Sequence, residues 1–318
     1  MASSLHLVYD WAQRWSRFGV FATILLIGAF SLFGAEIKLT TQLTIALIAL
    51  LVGIPHGAID HLISIPRRPN NRFVAYILIY ILIAVVAGIL IATWNVNGFR
   101  VVVLMSALHF GFGDASYLNE RKDAYGIPRR NFFTEAIYAI PAGFLPVALP
   151  LTDSRTASAL ERIHPELLNW DGGQAKTIRN LVLAVTIIAI TIFLLGRKLD
   201  LVIDLLLLAA LSIFAPPLIA FATYFGFWHA LRHTARLVPK LDKANSRALL
   251  GDWKGAIRGA VFPGLYAVVG TLLLAVILMF ALPDKFSSSL LWSTLLIIWS
   301  LTVPHMMSTA RFDITVLR

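Results

Sequence analysis

Two histidines stand four residues apart in the stretch FGFWHALRH, His229 and His233. On a helix, positions i and i+4 share a face at roughly 6 Å, the spacing at which two imidazoles ligate one metal ion. The chain has no cysteine, so disulfides and thiolate ligands are excluded, and any metal must be held by histidine or carboxylate. Of the eight histidines, His6 and His164 fall in polar stretches. His56, His61, His109, His229, His233 and His305 fall in or at the ends of apolar runs. An unpaired ionisable group inside a bilayer costs roughly 3 kcal/mol, so such groups turn toward a bundle interior and do a job there. A lone histidine is ordinarily explained by a hydrogen bond to a neighbouring helix; six of them call for more.

A second motif, GIPHGAIDHL, puts His56 and Asp60 at i and i+4 on one face, a ligand and its partner. An imidazole bound to metal through one nitrogen donates its other N–H to a carboxylate, which fixes its tautomer. Asp60 suits that task, as does Asp114 in HFGFGD for a neighbouring histidine; the plain reading of Asp114 is a carboxylate solvated at a helix end. Gly57 thins the helix and lets a neighbouring backbone approach. His61 lies roughly 140° round the helix from His56 and reads as a supporting or interface residue. Arg232 either reaches toward the membrane surface or balances an acidic group. Neutral imidazoles without thiolate suit iron(II), copper or zinc, with open positions left on six-coordinate iron for oxygen. Phe110, Phe112, Tyr117, Tyr224, Phe225, Phe227 and Trp228 surround these histidines in sequence. They are candidates for lining a passage for a long apolar substrate, although aromatics also serve as ordinary packing.

The elements that must position these groups are membrane helices. Of 318 residues 58% are apolar and only 14% charged, with mean hydropathy +0.78, whereas a soluble domain carries about a quarter charged residues. Apolar runs bounded by Pro, Gly, Asn and charge predict an all-α polytopic bundle of about ten transmembrane helices. They lie near 17–34, 39–61, 72–94, 98–118, 133–150, 177–195, 199–214, 216–236, 260–282 and 288–308. The weakest boundary is Pro216–Pro217, and eight or nine spans also fit. The first run is read as a retained helix, since no small-x-small cleavage pattern follows it.

With ten spans, nineteen of the 27 Lys and Arg residues collect on the side of the termini, which places both termini in the cytoplasm. That asymmetry explains the net charge of +10 without nucleic acid. It also brings the six membrane histidines into one depth band, because spans two, four, eight and ten run in the same direction. No linker or repeat divides the chain, so residues 1–318 read as one domain. The longest polar stretches are 151–176 and 236–258.

Taken in order, PHGAIDH, ALHFGFGD and FGFWHALRH resemble the Brp/Blh family (bacteriorhodopsin-related protein) of bacterial β-carotene 15,15'-dioxygenases, over most of the chain. The resemblance implies an integral protein of the bacterial cytoplasmic membrane that uses iron(II) and O2 to split β-carotene, or a related carotenoid, at its central double bond into two molecules of all-trans-retinal. It implies four iron ligands, His56, His109, His229 and His233, which are also the catalytic residues. Asp60, Asp114, His61 and His305 would support them, and Phe110, Phe112, Tyr224, Phe225, Phe227 and Trp228 would line the substrate tunnel. The partners implied are the carotenoid, O2, membrane lipid and, functionally, a retinal-binding rhodopsin. The rival readings are a membrane di-iron lipid hydroxylase or desaturase, which draws on more histidines in paired boxes, and a metal or proton transporter using the same groups as a relay. A zinc protease is disfavoured, since no HExxH stretch occurs.

Overall fold

The computed structural model describes residues 4–57, 59–64, 71–281 and 290–317, and among them every regular element is helical. Helix α1, Leu5–Leu32, starts well before the expected apolar run. Its first half packs in protein through Val8, Tyr9, Ala12 and Val20, while Leu25 and Leu26 of its second half are exposed. Helices α2, Leu39–Gly57, and α3, Asp60–Ser64, come next.

Helix α4 runs from Asn71 to Ala124, 54 residues, which as a straight rod would measure about 80 Å, far more than a bilayer. It is not straight. At Asn95 the backbone leaves the helical region, with φ 32° and ψ −87°. A Cβ on Gly98 would lie 2.7 Å from the Ile91 Cα, although seven residues of straight helix span about 10 Å. Contacts with the last helix, α14, Leu290–Leu317, give the direction of each arm. On the first arm Tyr76 meets Ser308 at 3.0 Å, and a Cβ on Gly88 would lie 2.7 Å from the Ser300 hydroxyl. On the second, Phe99 meets Trp299 and His109 meets His305, with ring centroids 5.4 and 5.2 Å apart. The arms are therefore antiparallel and correspond to the expected spans 72–94 and 98–118.

Helix α5, Phe132–Leu151, begins at Asn131, whose side chain accepts from the Thr134 N–H. The stretch after it is ordered as a 3-10 turn, Ser154–Thr156, helix α6, Ala157–Ile163, and a second 3-10 turn, Pro165–Asn169. Asp153 caps this stretch by accepting from the Arg155 N–H, and the hydrogen-bonded Arg155 side chain holds its carboxyl below the usual carboxylate range. Helices α7, Ala175–Leu195, and α8, Leu199–Phe214, agree closely with expectation. The chain then breaks at the two prolines, as the sequence suggests. Beyond them α9, Pro217–Thr223, passes through a π-helical turn, Tyr224–His229, into α10, Ala230–Leu237. Short helices α11, Asp242–Leu249, and α12, Trp253–Val261, lead into α13, Leu265–Ala281.

Among the described residues five helical stretches are long and apolar enough to cross a bilayer: α1, α4, α5, α7 and Trp253–Ile277. Leu78, Leu82, Ile187, Ile188 and Leu273 on them are more than half exposed, the arrangement that lipid stabilises and water does not. The molecule is a helical membrane protein.

Candidate metal centre

Small residues set the position of His109. A Cβ added to Gly111 would stand 1.9 Å from the Ala139 carbonyl oxygen, and one on Gly143 1.8 Å from that of Ala107. Only glycine allows this backbone-to-backbone crossing of α4 and α5, an Ala-x3-Gly pattern on both helices. His109 is two residues from both Ala107 and Gly111, so it points away from α5 into the bundle. His229 closes the π turn and His233 lies one turn further on, in α10; a π turn inserts one residue into a helix and re-aims the side chains beyond it. His305 comes from α14, directly after Pro304, which cannot donate to the helical ladder.

These four imidazoles form one buried cluster. Ring centroids lie 5.4 Å apart for His109–His229, 5.6 Å for His229–His233, 5.6 Å for His233–His305 and 5.2 Å for His109–His305. Potential ligand atoms of His109, His233 and His305 all lie within 4.8 Å of one another. His305, expected to support the site from outside, stands inside it, because α14 packs between the two arms of α4. The side chains of His56 and His61 lie outside the described residues. The helix of His56 does approach the cluster: a Cβ on Gly57 would be 3.4 Å from His305 Nδ1.

The surrounding hydrogen bonds choose the tautomers. His305 Nδ1 donates to Asp60, 2.9 Å from Oδ2, and the Tyr80 hydroxyl donates to the same oxygen at 3.1 Å. Asp60 is thus the carboxylate partner the sequence suggests, but of His305. The Thr309 hydroxyl gives its one proton to the His305 carbonyl at 3.1 Å, so its oxygen accepts from His109 Nδ1 at 3.3 Å. Both rings are left with Nε2 as the basic nitrogen. His109 Nε2 is buried without a hydrogen-bond partner among the described residues, a costly arrangement in a membrane interior unless a cation takes the lone pair. Imidazoles held as neutral donors, backed by a carboxylate and a hydroxyl, fit a bound transition metal.

On the other side of α10 lies a polar cluster of opposite character. Arg232 donates to Asp114 at 3.0 Å, to Asp204 at 2.9 Å and to the Ser16 hydroxyl at 3.1 Å. Its guanidinium lies 3.6 Å over the Trp228 ring. Trp228 and Tyr138 also donate to Asp114, at 2.7 and 2.8 Å, and Arg17 donates to Asp204 at 2.7 Å. Asp114 is 4% exposed, so it is no solvated helix end, and its partners are these groups rather than a histidine. Arg232 balances acidic groups, one of the two roles its position in the sequence allows. Asp204 does not stand out in the sequence, because a single Asp in an apolar run looks the same whether it pairs or not; a cation elsewhere in the membrane, Arg232, is the available signal.

The model of the family described as Beta-carotene 15,15'-dioxygenase matches residues 47–313. The chain belongs to the β-carotene 15,15'-dioxygenase family. It is 26% identical over 211 residues to the Beta-carotene 15,15'-dioxygenase of uncultured marine bacterium 66A03, covering 64% of this chain and 72% of that one. It is 27% identical over 295 residues to the Probable beta-carotene 15,15'-dioxygenase Blh of Halobacterium salinarum, covering 83% and 82%. No solved structure matches. As a member of this β-carotene 15,15'-dioxygenase family the chain is a carotenoid-cleaving enzyme.

The dioxygenase encloses a cavity of about 420 Å3 beside the cluster, within the range of small-molecule sites. His109, His229 and His305 line it, as do Phe110 and Phe225 of the expected tunnel. The other expected tunnel aromatics are not in its wall. Trp228 is held on Asp114, Tyr224 is fully buried against Phe110, Phe112 packs into the core, and Phe227 is half exposed against Gly19. Tyr117 is also buried and donates to the Tyr9 carbonyl at 2.7 Å. Consecutive residues of a helix point round all its sides, so only one stripe, here Leu218, Phe221, Phe225 and His229, can face one cavity.

Proposed function

We propose that this dioxygenase holds iron(II) through His109, His229 and His233, with His305 and His56 completing the set, and cleaves β-carotene with O2 at the 15,15' double bond to two molecules of all-trans-retinal. The observation that carries this reading is the convergence of imidazoles from α4, α10 and α14 on one buried centre beside an apolar cavity. Bound iron(II) supplies the redox chemistry that O2 needs in order to react with a closed-shell polyene. The balance is simple: one carbon–carbon double bond breaks, two carbonyls form, and each aldehyde carries one oxygen atom of O2.

The chain's own residues position and exclude. Leu50, Val102, Val103, Phe225, Leu295 and Trp299 give the polyene an apolar wall and keep water away. The lining continues past the cluster to Tyr76, which bonds Ser308 one turn beyond His305, so a rod-like substrate passes the centre rather than stopping at it. Asp60 and Thr309 hold the His305 and His109 rings in orientation. The apolar wall favours cleavage over a transporter's aqueous path. One centre of clustered rings favours it over a di-iron hydroxylase.

In the same reading the chain crosses a bacterial cytoplasmic membrane about ten times with both termini in the cytoplasm, takes carotene from lipid, and supplies retinal to a rhodopsin. Expression in a carotene-making bacterial host tests the core of it. The cells should lose their orange colour and accumulate retinal, the purified protein should carry iron, and His229→Ala should abolish bleaching. Persistent carotene beside folded, iron-free protein would overturn it.

A further inference from the structure

The stretch from Asp153 to Trp170 is the polar connection after α5, yet one side of it is cavity wall. Thr156, Ala159, Leu160, Ile163 and Leu167 are at most 9% exposed and all line the cavity, while Glu161 and Glu166 between them face outward. Thr156, Ala159, Leu160 and Ile163 follow the spacing of a helical stripe, and Leu167 joins them from the second 3-10 turn, beyond the extended backbone of His164.

Its height above the histidines can be read from α4. Arg100 donates to the Asn169 carbonyl at 3.3 Å and also to that of Trp170, Asn95 donates to Glu166, and Phe99 packs on Trp170 with centroids 6.2 Å apart. The end of the segment, Glu166 to Trp170, therefore sits level with residues 95–100, about ten residues and 15 Å of helix from His109. The segment is fastened from the α5 side as well, where Thr156 donates to the Pro150 carbonyl at 2.6 Å, and His164 packs tilted against Trp292 with ring centroids 4.7 Å apart. The cavity wall between these levels is continuous: Phe99, Val102, Ser106 and His109 face it in order along α4.

We infer that Leu160, Ile163 and Leu167 are the end stop of the cavity, the residues that set how far a rod-like apolar chain advances past the histidine cluster and hence which of its bonds lies there. A stop fixed by five anchors holds length better than a mobile lid would, and each methylene removed from it lengthens the path directly. The inference rests on the proposed carotenoid cleavage for its bond-choice part. Its length part does not.

Two measurements on the full-length protein in detergent separate these. The first binds a graded series of linear polyenals of increasing length, tracked by their visible absorbance. The parent should show a length cut-off, longer in Leu160→Ala/Leu167→Ala and shorter in Ile163→Phe, while the shortest polyenal binds all three and certifies their fold. The second supplies β-carotene. The parent should give equal fragments, and either variant should raise the ratio of unequal to equal fragments at least tenfold. An unmoved cut-off with equal fragments in both variants would overturn the inference. A cut-off that moves in a protein that leaves carotene intact would uphold the end stop and defeat the cleavage reading.

Discussion

Arg232 and His233 are neighbours in the chain and belong to two unlike buried clusters. Around Arg232 the charges are matched: two carboxylates face two guanidinium groups, and Trp228 and Tyr138 also donate to the Asp114 oxygen that Arg232 holds. Around His233 imidazoles face imidazoles, and the carboxylate and hydroxyl that touch the cluster do so from behind, at Nδ1 of His305 and His109. A polar group buried in a membrane must be satisfied. Where protein partners suffice the cluster can only hold helices together; where basic nitrogens are aimed at each other, it is built to take something in.

That contrast can be broken at its strong end first. Arg232→Ala leaves Asp114 and Asp204 buried with half their counter-charge, and it should cost about 3–5 kcal/mol of stability, read from the unfolding midpoint in detergent. A normal midpoint would mean that the cluster does not brace α10. Asp60→Asn acts on the other cluster: it removes the charge behind His305 and should weaken iron binding about 10–100-fold in chelator competition, with little change in unfolding. Equal effects on both readouts would erase the distinction between the clusters. The smallest change expected is Ser16→Ala, which removes one hydrogen bond to Arg232 and should cost about 1 kcal/mol while leaving the iron content as it was.

Helix positions were largely legible in the sequence, since lipid demands long apolar runs and the chain marks their ends with Pro216, Asn131 and clustered charge. Expectation and structure agree to within two residues for α5 and α7, and fully for α8. Depth was legible too, and it brought His109, His229, His233 and His305 to one level. Rotation about each helix axis was not. Hydropathy is nearly uniform round a helix surrounded by lipid and apolar neighbours, so Phe225 and Phe227 look equivalent until a partner helix separates wall from lipid. The ion pairing of Asp204, the pairing of Asp60 with His305, and the ordered wall in 153–170 all depend on contacts between distant segments. The π turn left no sign, because it depends on how α9 and α10 must both be satisfied at once.

That turn ties the two clusters to a common phase. Six residues between Thr223 and Ala230 adopt the wider winding, and relaxing all six to an ordinary α-helix with none removed would swing everything downstream by about 100°. Arg232 would then leave its carboxylates and His233 its companions in a single step. A register shift of one residue here exchanges bracing and binding faces together, so this short winding fault couples the integrity of the bundle to the loading of the proposed metal centre.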